Sequence, residues 1–466
     1  MKQQIPTVES IFAEALAALP APPGSRVAMA LSGGLDSSAL LHLAQAWARA
    51  HEVQLFAFHV HHGLSPNADA WLVHCEQACA ALGVTFAARK VELRDRKQSG
   101  TEAAARKARY AALGALCAAH EVPLMLTAHH QDDQAETVLL QLLRGSGMAG
   151  LSGMDTSNHA PELLGNATLL MARPLLPVSR QQLEAYVAAH GIASINDESN
   201  DDTRFARNAL RHQIMPLLAQ SFPGYQERFA RSAQHAQAAQ RVLSEVAQQD
   251  LSAALADDSV DIAQLRTLGR DRSFNLLRHW FQQRGLRMPS AAWLSEMLTQ
   301  LLEAREGAEL LVTHPDCDVR RHRDRLYLAP KLPDLEGTRE DQFDQKPGTG
   351  FRWNGEAEMV FPAYGGVLHI DPVEEGVLGL PGDWLRTQML VIEFRKGGER
   401  LKPAPNRSTR PLKYHYQALN IPAWERTRLP VVSTPVHLLF AAGIGMDCRH
   451  LNSSGAGRVS LRWQAV

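Results

Sequence analysis

Over the first 190 residues, short apolar runs alternate with longer stretches of helical periodicity. Val8–Leu19 has the helical spacing and stops at Pro20-Ala21-Pro22-Pro23-Gly24. Val27–Leu31, Val53–Val60, Val84–Val91 and Leu124–Ala128 are apolar runs of strand length. Amphipathic stretches follow them, over 36–51, 66–82, 101–120 and 132–144. Strand and helix alternating at this spacing predict an α/β fold: a parallel sheet covered by helices on both faces. In such sheets ligands sit beyond the carboxyl ends of the strands, where the strand order reverses. Leu169–Leu176 and Gln181–His190 predict one more strand and helix, and Asn208–Leu218 continues as helix. The first domain is expected to span 1–216.

The pattern then changes. Phe229–Leu251 is a long helical stretch rich in Ala and Gln, and two or three further helices are expected as far as Ala304. Leu310–Val312 and Arg325–Leu328 are expected to form a short strand pair. The reading is a mostly helical module over 217–332 and an acidic, Pro/Gly-punctuated linker over 333–350. A small α+β domain is expected over 351–466, built on the runs Met359–Phe361, Val367–Ile370, Met389–Phe394, Val431–Val432 and Leu438–Ala442.

The chain has 466 residues, 45% of them hydrophobic and 21% charged, values ordinary for a soluble globular protein. Its 48 Lys/Arg and 49 Asp/Glu nearly cancel, so overall charge points to no nucleic-acid partner. The distribution does. Phe394–Pro430 holds nine Lys/Arg against two Glu, a local net of +7, while Lys331–Gly376 holds four against ten, a net of −6. A basic block beside an acidic one averages to neutral and can still bind RNA. The five cysteines form no Cys-x-x-Cys pair, so zinc ribbons and iron–sulfur clusters lack their usual ligand spacing. Reduced, buried thiols predict a cytoplasmic protein. Nothing in the sequence suggests a membrane span or an obligate protein partner.

The stretch with the most chemistry is Val27–Leu41. An apolar strand runs into Ser32-Gly33-Gly34-Leu35-Asp36-Ser37, and a helix opens behind it with Asp36, Ser37 and Ser38 as expected capping residues. A strand, a glycine turn and a helix N-terminus make an anion site. No Lys follows the glycines, so this is not the Walker loop, and the spacing is not G-x-G-x-x-G.

Other constellations fall near strand ends. His59-Val60-His61-His62-Gly63-Leu64 closes the second strand, where His59 or His61 could meet a nucleotide. Glu102–Tyr110 places Arg106 and Arg109 on one helical face, with Arg109 suited to a phosphate or carboxylate. The plain alternative is a solvated face. Ala128–Thr137 contains two histidines and sets Asp133 and Glu136 on one helical face, where paired carboxylates can hold Mg²⁺ or an ammonium group. Arg204, Arg207 and Arg211 could line an RNA path. In the basic block Arg395, Lys396, Arg400, Lys402, Arg410, Lys413 and Arg426 are interleaved with Tyr414, Tyr416 and Trp424, a mixture suited to phosphate contacts and base stacking.

The loop Ser32–Ser37 resembles the PP-loop of ATP pyrophosphatases, which binds the β,γ-pyrophosphate of ATP. Together with the His59–Leu64, Glu102–Tyr110, His129–Thr137, Gly145–Met154, Arg173–Leu176, Asp197–Asn200 with Arg207–Arg211, and Phe394–Trp424 segments, the chain resembles the tRNA(Ile)-lysidine synthase family along nearly its whole length. Ala128 stands where Gly is expected, and His415 interrupts a basic stretch. The resemblance implies an ATP-dependent ligase. ATP adenylates the C2 oxygen of the wobble cytidine of a CAU anticodon in isoleucine tRNA, and free L-lysine then displaces AMP to give lysidine. Decoding changes from AUG to AUA. It implies that Ser32, Gly33, Gly34, Leu35, Asp36 and Ser37 bind ATP, that Asp36 helps place Mg²⁺, and that Arg109, Asp133 and Glu136 bind lysine or assist its attack. Two other readings share the loop: a tRNA thiolase, which needs a reactive cysteine or a cluster, and a non-catalytic RNA-binding protein with a retained loop.

Overall fold

The computed structural model describes residues 6–61, 63, 65–91, 101–198, 202–303, 305, 310–331, 348–453 and 457–465; of residues 101–103 only the backbone is described. Most of the expected linker at 333–350 lies outside them, as do His62, Leu64, Ser199 and Asn200. The chain forms two compact units, residues 1–245 and 246–466.

The first unit is built on a six-stranded sheet. Its strands are β1 (Arg26–Ala30), β2 (Gln54–His61), β3 (Thr85–Lys90), β4 (Leu124–Leu126), β5 (Ser157–His159) and β6 (Leu170–Ala172), in the order β3-β2-β1-β4-β6-β5. All pairings are parallel except β5 with β6. The four expected runs are therefore strands, and the sheet gains an antiparallel edge that the polar sequence Ser157-Asn158-His159 did not suggest. The order reverses between β1 and β4, which places the carboxyl ends of those two strands at the switch point.

Strand alternation divides the core. Val27, Met29, Leu31, Leu55 and Ala57 pack on one face with α1 (Val8–Ala17), α2 (Leu35–Ala50) and the later helix α8 (Arg180–His190). Ala28, Phe56, Phe58 and Val60 pack on the other with α4 (Thr101–Ala119). Between β2 and β3 runs α3 (Ala68–Leu82), and β4 leads into α5 (Gln131–Leu143). Short helices α6 (Met148–Leu151) and α7 (Pro161–Leu164) flank β5. After α8 come α9 (Ala206–Ala209), a π-helical turn (Leu210–Ile214) and α10 (Met215–Ser221), where a single helix was expected. The 30-residue helix α11 (Tyr225–Ala254) ends the unit and carries the chain onward.

The second unit holds a small helix-and-sheet module and a β-rich end domain. Helices α12 (Ile262–Gln283), broken at Gly269, and α13 (Ala291–Glu303) pack around Trp280 and Phe281. Strands β7 (Leu255–Ala256), β8 (Ser259–Asp261), β9 (Leu310–Thr313), β10 (Cys317–His322) and β11 (Arg325–Pro330) form one sheet, ordered β7-β8-β11-β10-β9. The expected pairing of Leu310–Val312 with Arg325–Leu328 is wrong: both segments pair with β10 between them. Its strict alternation in Cys317-Asp318-Val319-Arg320-Arg321-His322 was masked by charge, because Arg321 points inward and is buried.

The end domain has β12 (Thr349–Phe351), β13 (Glu358–Phe361), β14 (Gly366–Pro372), β15 (Leu380–Pro381), β16 (Leu390–Phe394), β17 (Arg400–Leu401), β18 (Arg410–Pro411), β19 (Pro430–Ser433), β20 (Leu438–Ala441), β21 (Gly445–Met446) and β22 (Arg458–Ala465). They form sheets ordered β12-β16-β19-β20-β21 and β13-β14-β22-β15, with a β17-β18 pair, and α14 (Gly382–Thr387), α15 (Leu412–Ala418) and α16 (Ala423–Arg426) lie among them. Among the described residues no helix is long and apolar enough to cross a membrane.

Helix α4 meets α7 so closely that a Cβ on Gly114 would lie 1.8 Å from Leu164 O. That neighbour is backbone and cannot rotate away. Gly114→Ala should therefore destabilise the first unit by roughly 1–3 kcal/mol or more, as overpacking does, read as a lower urea midpoint for its transition.

Candidate active site

The loop after β1 is closed on itself by one serine. The N–H groups of Ser32 and Gly33 donate to Ser37 Oγ at 3.2 and 3.1 Å, and Ser37 Oγ donates to Gly34 O at 3.0 Å. Gly33 takes φ +87°, and a Cβ there would lie 2.7 Å from Ile195 Cδ1 and 3.1 Å from Cys75 Sγ, so only glycine fits. The Ile195 N–H donates to Gly33 O at 2.8 Å and pins the loop from outside. Helix α2 begins at Leu35, with Gly34 as its N-cap and no side chain capping it. The capping role expected of Asp36, Ser37 and Ser38 is corrected: these residues already lie inside the helix. An uncapped N-terminus leaves the first amides open to an anion.

Helix α5 starts beside this loop, at the carboxyl end of β4. The His130 N–H donates to Asp133 Oδ2 at 3.1 Å, and the buried His130 ring places Nε2 3.4 Å from Asp133 Oδ2 and 3.7 Å from Asp36 Oδ1. Its Nδ1 lies 3.8 Å from Asp132 Oδ2. Burial opposes charge on this ring, but Asp36, Asp133 and Asp132 together raise its pKa above the usual value. Asp133 and Glu136 share one face, as their spacing predicts, and both are engaged. Arg207 donates through Nε to Glu136 Oε2 at 2.7 Å and through Nη2 to Asp133 Oδ1 at 3.1 Å. Arg211 donates through Nε to Glu136 Oε1 at 2.7 Å and through Nη2 to Glu136 Oε2 at 3.0 Å and Asp133 Oδ1 at 3.3 Å. Sequence reasoning put Arg207 and Arg211 on an RNA path; the structure puts them on these carboxylates. Arg180, which sequence reasoning missed, donates through Nη1 to both oxygens of Asp36 at 2.7 Å. It lies 144 residues from Asp36, too far for any local pattern to reveal the pair.

Two cavities meet at Asp36. The smaller, about 190 Å³, is lined by Ala30, Phe58, Val60, Leu113, Tyr110 and Arg109 along with Ser32, Thr127, His129 and Asp133. Arg109 lies over the Tyr110 ring, 5.5 Å from its centre, and burial together with Arg106 and Arg207 lowers its pKa. Thr127 Oγ1 lies 2.8 Å from His129 Nδ1, and burial holds the His129 imidazole neutral, with its pKa down to about 3. The larger cavity, about 700 Å³, is lined by Gly34, Leu35, Asp36, Arg180, Glu136 and Arg211 among others. His59 and His61 line neither. The period-2 alternation of β2 turns Phe58 and Val60 toward the smaller cavity. His59 Nδ1 instead lies 2.9 Å from Leu31 O, bracing the strand that ends in the loop, and His61 Nε2 faces Asp69 at 3.1 Å.

The cations expected to contact RNA divide. Arg204, Lys396, Arg400, Arg410 and Lys413 are exposed, and Arg395 and Lys402 half-buried. Arg426 is buried and donates through Nε to Ile421 O at 2.6 Å. Tyr416 is buried with its hydroxyl donating to Ala442 O, and Trp424 packs on Tyr327, His322 and Arg320. Tyr414 keeps an exposed ring, with Arg410 over it. The Cys75, Cys79 and Cys117 thiols are buried and pushed up to about 12, which leaves none of them as a thiolate at neutral pH.

Burial alone would raise the Asp133 carboxyl, but His130, Arg207 and His129 and the His130 N–H bring it down to about 2. The unfolded chain titrates at about 3.9. The folded state therefore binds fewer protons between these values, and the stabilisation is complete above about pH 4 and lost as pH falls toward about 2. Asp133→Asn should flatten the acid limb of the urea midpoint followed from mildly acidic pH down through this range; an unaltered limb would contradict the assignment.

Three family profiles cover much of the chain: a PP-loop domain over residues 6–218, a TilS substrate binding domain over 261–327 and a TilS substrate C-terminal domain over 390–463. The tRNA(Ile)-lysidine synthase of Burkholderia pseudomallei is 40% identical, covering 93% of this chain and 91% of that one. Its counterparts in Ralstonia nicotianae (41% identity, 92% of this chain and 91% of that one) and Alkalilimnicola ehrlichii (39%, 91% and 90%) are similar over the same span. With a PP-loop domain and both downstream domains matched, and relatives about 40% identical over most of the chain, the chain belongs to the tRNA(Ile)-lysidine synthase family, whose members are ATP-dependent ligases.

Proposed function

We propose that the protein adenylates the C2 oxygen of the wobble cytidine in a CAU-bearing isoleucine tRNA and then joins free L-lysine to that carbon. In the first step the cytidine oxygen bonds to the α-phosphorus of ATP and pyrophosphate leaves. In the second the lysine ε-ammonium gives up one proton to free its lone pair, the nitrogen bonds to C2, the C2–O bond breaks, AMP carries away the oxygen and the bond's electron pair, and the nitrogen loses a second proton. The observation that carries this reading is the convergence of Asp133 and Glu136 on the uncapped phosphate loop, between the two cavities.

The phosphates of ATP meet the amides at the start of α2 and the hydroxyls of Ser32 and Ser37. Opening the Ser37 hydrogen bonds frees the Ser32 and Gly33 N–H groups for the pyrophosphate. A nucleotide base fits the smaller cavity, whose walls Phe58, Val60, Leu113 and Tyr110 are apolar and aromatic. His59 serves the nucleotide indirectly, by bracing Leu31. Asp36 suits Mg²⁺, a hard cation bound through one or two carboxylates plus substrate phosphates. When bound it would neutralise charge on the leaving pyrophosphate. Asp133 and Glu136 present negative charge to the lysine ammonium, and either can accept the proton it must lose before its nitrogen attacks. Arg207 and Arg211 pair with both carboxylates until the ammonium takes their place. Arg109 offers its guanidinium to the lysine carboxylate or a phosphate.

The exposed cations Arg204, Lys396, Arg400, Arg410 and Lys413 and the half-buried Arg395 and Lys402 are the proposed tRNA contacts, with Tyr414 available for stacking. Buried Arg426 supports the domain instead. A thiolase reading lacks an ionisable cysteine among those above. We place the protein in the cytoplasm, with its tRNA.

The full chain should transfer labelled lysine to unmodified CAU-bearing isoleucine tRNA in the presence of ATP; absence of label overturns the proposal. Asp36→Ala should abolish transfer, and Glu136→Gln should raise the KM for lysine at least tenfold while moving the KM for ATP little.

Replacing Arg395, Lys396, Arg400 and Lys413 together with Ala should weaken tRNA binding and flatten its dependence on salt, by a slope of up to about 0.9 for each phosphate no longer neutralised. The KM for ATP should stay within twofold. An unchanged salt slope would remove the block from the RNA interface.

A further inference from the structure

The phosphate loop has no cation of its own. Ser32–Ser37 supply amides, hydroxyls and the negative charge of Asp36, so a polyanion placed there needs positive charge from elsewhere. Two arginines line the larger cavity beside the loop, Arg180 and Arg211. Arg211 is committed to Glu136 and Asp133.

Arg180 is differently held. Its backbone is fixed at the start of α8, where the Ser179 hydroxyl caps the helix and the Gln182 side chain returns to the Ser179 N–H at 2.9 Å. The Arg180 N–H donates to Asp132 Oδ2 at 2.8 Å, tying the start of α8 to the start of α5. The side chain is 39% exposed and rests on half-buried Asp36 and, through Nε at 3.0 Å, on exposed Glu184. An ion pair this exposed is weak and exchanges readily, whereas a guanidinium on phosphate oxygens makes charge-assisted, bidentate hydrogen bonds.

We propose that Arg180 is the pyrophosphate clamp of the reaction. This rests on the ATP-splitting reading above. When ATP enters, the guanidinium passes from Asp36 to the non-bridging oxygens of the β- and γ-phosphates. As the bond between the α-phosphorus and the bridging oxygen breaks, its electron pair leaves on the pyrophosphate. The added charge develops where Arg180 is aimed, so the contact strengthens along the reaction. One side chain thus neutralises Asp36 in the empty site and the leaving group in the filled one.

The test is binding of inorganic pyrophosphate to the full chain by calorimetry, in chelator and again with magnesium. It compares wild type, Arg180→Ala, Arg180→Lys and the double variant Asp36→Asn/Arg180→Ala. Affinity should fall at least tenfold in Arg180→Ala and less in Arg180→Lys, which keeps the charge but loses the fork. It should remain low in the double variant. The Lys variant decides the matter should Arg180→Ala fail to fold. Wild-type affinity in Arg180→Ala overturns the clamp. So does recovery in the double variant, which would mean that Arg180 only offsets Asp36. A wild-type chain that neither binds pyrophosphate nor releases it from ATP overturns the ATP-splitting reading itself.

Discussion

Four carboxylates, Asp36, Asp132, Asp133 and Glu136, crowd the starts of two helices at the switch point of the sheet, and the first unit depends on what neutralises them. Helix N-termini favour nearby negative charge, but only modestly. Glu136 is nearly inaccessible, and an unpaired charge there would be costly. The compensation comes from His130 within the same motif and from Arg180, Arg207 and Arg211 in the chain that follows β6. After its last parallel strand the chain must therefore return to the carboxyl edge of the sheet, and α8, α9 and the π-turn are the path by which it does.

That return also shapes the phosphate loop. The segment after α8 places Ile195 against Gly33 and hydrogen-bonds its carbonyl, so the loop is clasped by the same stretch that delivers the arginines. The π-turn at Leu210–Ile214 begins directly after α9 and contains Arg211. Such turns are rare and concentrate at functional sites. Here the Nε groups of Arg207 and Arg211 reach opposite oxygens of one carboxylate.

The parts of the fold legible in the sequence were those set by neighbours along the chain. The strands β1 to β4, the glycine turn after β1 and the shared face of Asp133 and Glu136 follow from periodicity and spacing alone. The pairings Arg180 with Asp36 and Arg207 with Glu136 span 144 and 71 residues and have no local signature. Charge misled twice in the same way. Arg321 hides the alternation of β10, and Arg426, whose sequence context suits a phosphate contact, lies inside the end domain. The position of His59 and His61 at the end of β2 suggests contact with a nucleotide, but alternation gives the cavity to Phe58 and Val60.

The missing lysine of the loop is informative once these pairings are known. A Walker loop carries its cation a few residues from its glycines, so phosphate binding and charge neutralisation are one local device. Here the amides come from residues 32–37 and the positive charge from residues 180–211. A loop organised this way is complete only when the later helices are docked on the sheet. The same helices hold the carboxylates proposed to face the amine-bearing substrate. In the proposed reaction, binding of the leaving group and presentation of the nucleophile are thereby built on one shared set of ion pairs, and a change that moves α8 or the π-turn would alter both.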